Sequence, residues 1–335
     1  MNDAPAQRPG RLAVATLGIA LGACFLWLAM RGVDRVAMQA AFEALETTLV
    51  MGALTLYWAG MGLRIERWHG LLSQLKPVTR GEVAEVLVVG YAVNNLLPAR
   101  LGELFRADYA KRRSGLSRTA VLGSIVMERV TDLGAILTCL AAGLWASGVL
   151  AQLQALMATR MLVVGAGLCA LVAAGMWLAR RGGGLGHALP RTLTRLLGDL
   201  GRGLRSLNRA TLARTLALTA AIWMAEVLAL WAMFGALGVV LTAPQALFVM
   251  GAASLSTLVP TAPGYLGTYQ LVFATTMTAF GLSATHGVLA STLIQVCLFG
   301  SVTVLGLVLY LARSLHNMRP IRDEALLGGP DSHSR

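Results

Sequence analysis

VVGYAVNNLLPARLGELFR, residues 88–106, sets an apolar half directly against a polar one. The apolar half, counted from about residue 83, is shorter than the ~20 residues a membrane-spanning helix needs. Beyond it, Pro98 removes a backbone donor, and Arg100, Glu103 and Arg106 follow at i, i+3, i+6 spacing. On a helix that spacing brackets one carboxylate with two guanidiniums on roughly one face. One reading is a self-neutralising ion-pair cluster at a helix start. The other is a half-helix that enters a membrane, breaks and turns back, carrying charge to a depth where irregular backbone must line protein or water. A phosphate could then compete for the arginines, because their forked donors match its oxygens.

The stretch VMGAASLSTLVPTAPGYLGTYQ, residues 249–270, repeats the pattern. Each segment has Val, one variable residue and Gly, then small or polar residues, then an apolar pair before Pro and a Gly-containing break. Each follows one full apolar window and precedes another. The charge pattern makes the first half-helix enter from one side and the second from the other. That is the form of an inverted repeat with interrupted helices, a pattern of transporters.

Composition supports a membrane setting. The chain has 335 residues, 56% of them hydrophobic and 13% charged, with a mean hydropathy of +0.66. That profile is expected of an all-α polytopic membrane protein. Apolar windows fall near 12–30, 47–63, 119–147, 160–179, 211–239 and 285–312, about six full spans, and 83–97 and 246–259 are the two half-helices. The net charge of +12 is carried almost wholly by arginine. Placing the arginine-rich connections on one side puts both termini in the cytoplasm of a multi-pass inner-membrane protein. Arginines dispersed between spans argue against nucleic acid. The N-terminal apolar run lacks a small-residue cleavage site and is expected to stay as a span. The four cysteines lie apart in apolar runs, as packing residues.

Residues 1–318 are expected to form one membrane domain, with 181–210 as a cytoplasmic basic linker and 319–335 as a disordered tail. Within the linker, leucines at helical spacing from Leu193 to Leu207 and arginines on another face fit a helix lying on the membrane surface, or an ordinary positive loop.

Three ionisable residues sit inside an expected span. Glu128, Arg129 and Asp132 occupy SIVMERVTDLGAIL, with Glu128 and Asp132 at i, i+4 on one face. One charge near the bilayer centre costs ~2.5–3.5 kcal/mol on insertion scales. Partners are therefore required, and Arg100 or Arg106 are the natural choices. Glu226 is a fourth such acid, a candidate ion or proton site or a partner for an arginine.

The series N-x-x-P-x-R-x-G-E-x-x-R, then E-R-x-x-D, then P-x-x-P-G-x-x-G resembles the flippase-like family defined by the membrane region of lysylphosphatidylglycerol synthases. The resemblance spans essentially the whole chain and implies translocation of lipids or lipid-linked head groups. It carries substrate contact to Asn95, Pro98, Arg100, Gly102, Glu103 and Arg106, to Glu128, Arg129 and Asp132, and to Pro260, Pro263, Gly264 and Gly267. Where relatives often close the last motif with Glu, this chain has Gln270, which puts any ion or proton role there in doubt. The soluble aminoacyl-transferase domain of the bifunctional synthases is expected to be absent. Some relatives accompany hopanoid or polyprenyl-lipid pathways, so an anionic phospholipid and an isoprenoid-type lipid both stay open as partners, as does a homo-oligomer.

Two other classes compete with a lipid transporter. A membrane enzyme on lipid phosphates or polyprenyl-linked sugars could use Glu128 and Asp132 for acid–base work or Mg2+. The chain nevertheless lacks an Asp-rich metal motif, a Ser/His pair and a nucleotide loop, so no cofactor is expected. A scaffold in a lipid pathway is the third class.

Overall fold

The computed structural model describes residues 9–97, 102–147, 209–258 and 262–327. They are helical throughout apart from caps and turns. The first half of the chain gives α1 (Pro9–Met30), a short α2 (Arg35–Glu43), α3 (Thr47–Leu72), α4 (Arg80–Leu96), α5 (Gly102–Ser114) and α6 (Arg118–Ala146). The second gives α7 (Arg209–Ala236), α8 (Ala243–Ser256), α9 (Thr268–Ala279), α10 (Ala284–Leu293) and α11 (Gly300–Leu327). A π-helical turn, Ile294–Phe299, joins the last two. Three of these helices are long and apolar enough to cross a membrane: Thr47–Leu72, Arg209–Ala236 and Ala284–Leu315. The expected span at 160–179 and nearly all of the basic linker at 181–210 lie outside the described residues. Helix α11 continues through Leu327, past the point where an unstructured tail is expected.

Helices α3 and α7 run antiparallel at the centre. Glu46 N–H donates to the Ala236 carbonyl at one end, and Arg214 reaches Glu66 near the other. The Arg214 end also holds Lys76, Arg80, Arg113 and Arg118 and is the basic end of the bundle.

Helix α4 starts at the basic end with a reciprocal cap. The Thr79 hydroxyl accepts from Glu82 N–H while the Glu82 carboxylate accepts from Thr79 N–H. It stops at Leu97, whose extended backbone suits the residue before a proline. The chain then folds back on itself. Gly102 lies against Asn94 and the Gly90 carbonyl, Tyr109 donates to Glu85 at 2.6 Å, and Arg113 meets Glu82 at 3.3 Å and Glu85 at 3.1 Å. Such pairing is that of a helical hairpin whose two feet share the basic end.

Helices α8 and α9 form the counterpart at the other end. Thr242 and Gln245 make the same reciprocal cap, with Pro244 in the first turn. Phe248 near the start of α8 meets Phe280 just past α9, with ring centroids 5.7 Å apart. The break between them contains the turn Pro263–Tyr265, with Gly264 at φ 65° and Gly267 at φ 85°. A Cβ on Gly267 would lie 1.9 Å from the Gly22 carbonyl of α1, so only glycine fits there.

The two hairpins exchange partners. Helix α4 packs on α11, and α8 packs on α6. Both crossings are tight because glycines let the backbones approach: Gly306 sits against Val88 and Ala92, Gly251 against Leu140, and Gly143 against Phe248. The two hairpins come together where Gly264 lies beside the Asn95 carbonyl.

Candidate functional site

The first hairpin brings a set of charges against α3 and α6. Arg67, on α3, is 1% exposed. Its Nη1 donates to Asp132 Oδ1 at 2.6 Å and to Thr219 Oγ1 at 2.8 Å, and its Nη2 faces Asp132 Oδ2 at 3.3 Å and Glu128 Oε1 at 3.5 Å. Trp223 adds an indole N–H to Asp132 at 3.3 Å. Asp132 thereby accepts three hydrogen bonds, two from Arg67 and one from Trp223.

Arg106, on α5, lies flat over the Trp68 ring at 3.5 Å from its centroid. A guanidinium so placed gains from the negative ring face. Its Nη2 is 2.8 Å from Glu128 Oε2, and Arg106 Nε is buried without a partner among the described residues. The pair leaves the Nε donor over.

Arg129 is the loose member. It sits 3.7 Å from Glu103 and 3.5 Å from Asp132, with its side chain 35% exposed. Three guanidiniums thus balance three carboxylates across α3, α5 and α6. Breaking one buried pair strands its partner at a cost of about 3–5 kcal/mol, whereas an exposed pair contributes ~0–1 kcal/mol. Arg67 and Asp132 are therefore fixed, and Arg129 and Glu103 are the members that can change partners.

Sequence spacing suggests that Glu103 and Arg106 neutralise each other along their own helix. They do not: Glu103 faces Arg129, and Arg106 faces Glu128, because the hairpin turns α5 toward α6. Helix α3 also continues beyond the expected end at residue 63. Arg64 and Arg67, expected among cytoplasmic loop charges, lie within it. Arg64 meets Glu226 at 2.6 Å, so Glu226 serves as an ion-pair partner. The available signal was the unpaired intramembrane acids, which demand cations, together with Arg64, Arg67 and Trp68 on one helical stripe.

The second break is neutral. Gln270, 2% exposed, accepts from Gly267 N–H at 2.8 Å and donates to Gln295. Gln295, in the π-helical turn, donates to the Gly264 carbonyl at 2.9 Å. Asn95 belongs to this neighbourhood, donating to the Phe299 carbonyl and the Thr303 hydroxyl. Pro263 opens the turn, away from the ion pairs. Pro98, Arg100 and Pro260 lie outside the described residues. Among the described residues no cluster of His, Cys, Asp and Glu is arranged to hold a metal ion.

The family model for the lysylphosphatidylglycerol synthase TM region matches residues 15–306. The chain belongs to that family. It is also similar to the glycosyltransferase AglD of Haloferax volcanii, 25% identical over 301 aligned positions that cover 78% of this chain and 48% of that protein. The chain spans about half the length of this curated relative.

Proposed function

We propose that this member of the lysylphosphatidylglycerol synthase TM-region family moves a lipid with a phosphate-bearing head group between leaflets. The observation that carries the proposal is the ion-pair cluster beside the first break, in which Arg106 Nε is buried without a partner among the described residues and Arg129 is only loosely held. A head group reaching the cluster would take Arg129 from Glu103 and satisfy Arg106, while Arg67, Glu128 and Asp132 keep the rest of the cluster in place. Acyl or isoprenoid chains would stay in lipid.

In this reading the two hairpins are re-entrant half-helices, entering from opposite faces and meeting near the midplane. Full crossings are made by α1, α3, α6, α7 and the joined α10–α11, with the sixth expected at 160–179. The basic end faces the cytoplasm. The exchanged packing of α4 on α11 and α8 on α6 supports an inverted repeat. Its two halves could rock against each other so that the cluster opens alternately to either side.

A second reading is favoured by the relative named a glycosyltransferase: a membrane part that presents a lipid-linked sugar or lipid phosphate to transfer chemistry. Purified protein in liposomes with fluorescent head-group lipids separates the two. Dithionite quenching beyond the outer leaflet, abolished in Arg129→Ala and with lipid chemically unchanged, is the outcome expected of a transporter. Altered lipid in the recovered extract would favour the second reading. Full quenching by a folded Arg129→Ala protein would remove the site assignment.

A further inference from the structure

A second polar space lies between α3 and α7 at the basic end, separate from the break. It is a cavity of about 130 Å3, room for a few waters or one tetrahedral anion. Arg67, His69, Ser73, Thr211, Arg214 and Thr215 are among its lining residues, and none of the described lining residues is a carboxylate. Ser73 and Arg214 are exposed, whereas Arg67 and Thr215 are buried. The cavity therefore runs from an open mouth to a closed floor.

Its two cations are unequal in a useful way. Arg67 commits both terminal nitrogens to Asp132, Glu128 and Thr219, but its Nε is buried and without a partner among the described residues. A buried charged donor left unpaired is unfavourable, and an anion in the adjoining cavity would remove that cost. Arg214 spends one nitrogen on Glu66 at 3.3 Å and is 56% exposed, so its other donors can turn inward. The Ser73 and Thr215 hydroxyls donate to the His69 and Thr211 carbonyls, so the charged donors of the cavity are Arg67 Nε and the remaining nitrogens of Arg214. Two guanidiniums with no carboxylate among the described lining residues suit phosphate oxygens.

We infer that this cavity is an anion site for a phosphate group, carried by a lipid head group or by free phosphate, with Arg67 at the floor and Arg214 at the mouth. It deepens the proposed function by adding a docking point at the basic end. Because Arg67 also holds Asp132 and Glu128, an occupant would draw on the guanidinium that anchors the ion-pair cluster. Occupancy and the state of the cluster would then be coupled.

The test is calorimetric titration of the full chain in phosphate-free maltoside micelles, with inorganic phosphate and with dihexanoyl phosphatidic acid as probes. The exposed mouth is altered by Arg214→Ala and, separately, by Ser73→Asp, so the buried Arg67 stays in place. Arg80→Ala is the control, since Arg80 shares Glu66 but does not line the cavity. Binding is expected to weaken by about tenfold or more in both mouth variants and to stay within about twofold in the control. A lipid probe about tenfold tighter than phosphate identifies the head group as the source; equal affinities identify free phosphate. No binding of either probe to the unaltered chain, or binding in both mouth variants as tight as in the unaltered chain, overturns the anion site. Absent binding with lipid movement intact would remove this cavity and leave the proposed function standing. Intact binding without lipid movement would do the reverse.

Discussion

Arg67 and Arg129 have the same chemistry and opposite prospects. Arg67 is sealed on Asp132, and Arg129 stands half-open at distances of 3.5–3.7 Å. Stability and transport should therefore separate by residue. Asp132→Asn weakens the partner of a buried guanidinium, and urea or thermal unfolding should show a loss of about 3–5 kcal/mol. Glu103→Gln touches a pair that is 27–35% exposed, and its cost should stay under about 1 kcal/mol. The same change releases Arg129, so lipid movement should be retained or rise. Equal destabilisation by both substitutions would mean that burial does not rank these pairs. Glu128, Arg129 and Asp132 stood out in the sequence because three charges interrupt an apolar window. Their partner Arg67 did not, because it follows the apolar run of its own helix and reads there as a loop charge. Only the antiparallel contact of α3 with α7, and the arrival of α6, turn it inward.

At the scale of the helix, α6 carries its own control. A Cβ on Gly143 would meet the Phe248 backbone N at 2.4 Å, while one on Gly134 meets nothing within 4 Å. Gly143→Ala must force α6 and α8 apart and should lower the thermal midpoint clearly. Gly134→Ala removes only the conformational freedom of an open helical glycine and should stabilise by up to about 1 kcal/mol. Opposite shifts from the same substitution on one helix would show that the crossing sets the requirement for glycine. Shifts of one sign would refute it. Both breaks were legible from Pro, Gly and short apolar length. The backbone contacts that need Gly143, Gly251 and Gly306 were not, since an isolated glycine in an apolar helix carries no mark of the neighbour it admits. The closeness of α4 to α5 was equally hidden, because the pairs Glu85 with Tyr109 and Gly90 with Arg106 have no periodic signature.

For the whole molecule, the central question is whether each hairpin returns to the face it came from. Charge bias in the sequence pointed that way, and the antiparallel contacts of α4 with α5 give it a geometric reason. A single crossing made by α4 and α5 end to end would put Lys76 and Arg112 on opposite faces of the membrane; a hairpin that turns back keeps them together. The same logic ties Ala243 to Thr278 on the other face. Single cysteines at these four exposed positions, in a background without the native cysteines, can be labelled in oriented vesicles with a membrane-impermeant maleimide. Lys76→Cys and Arg112→Cys should react from the same side, and Ala243→Cys and Thr278→Cys from the other. If Lys76→Cys and Arg112→Cys label from different sides, α4 and α5 cross the bilayer together, the break no longer lies at membrane depth, and the ion-pair cluster loses its route to a head group. If instead all four label from one side, the hairpins are not inverted, and an exchange between two symmetric halves could not open the cluster to both leaflets.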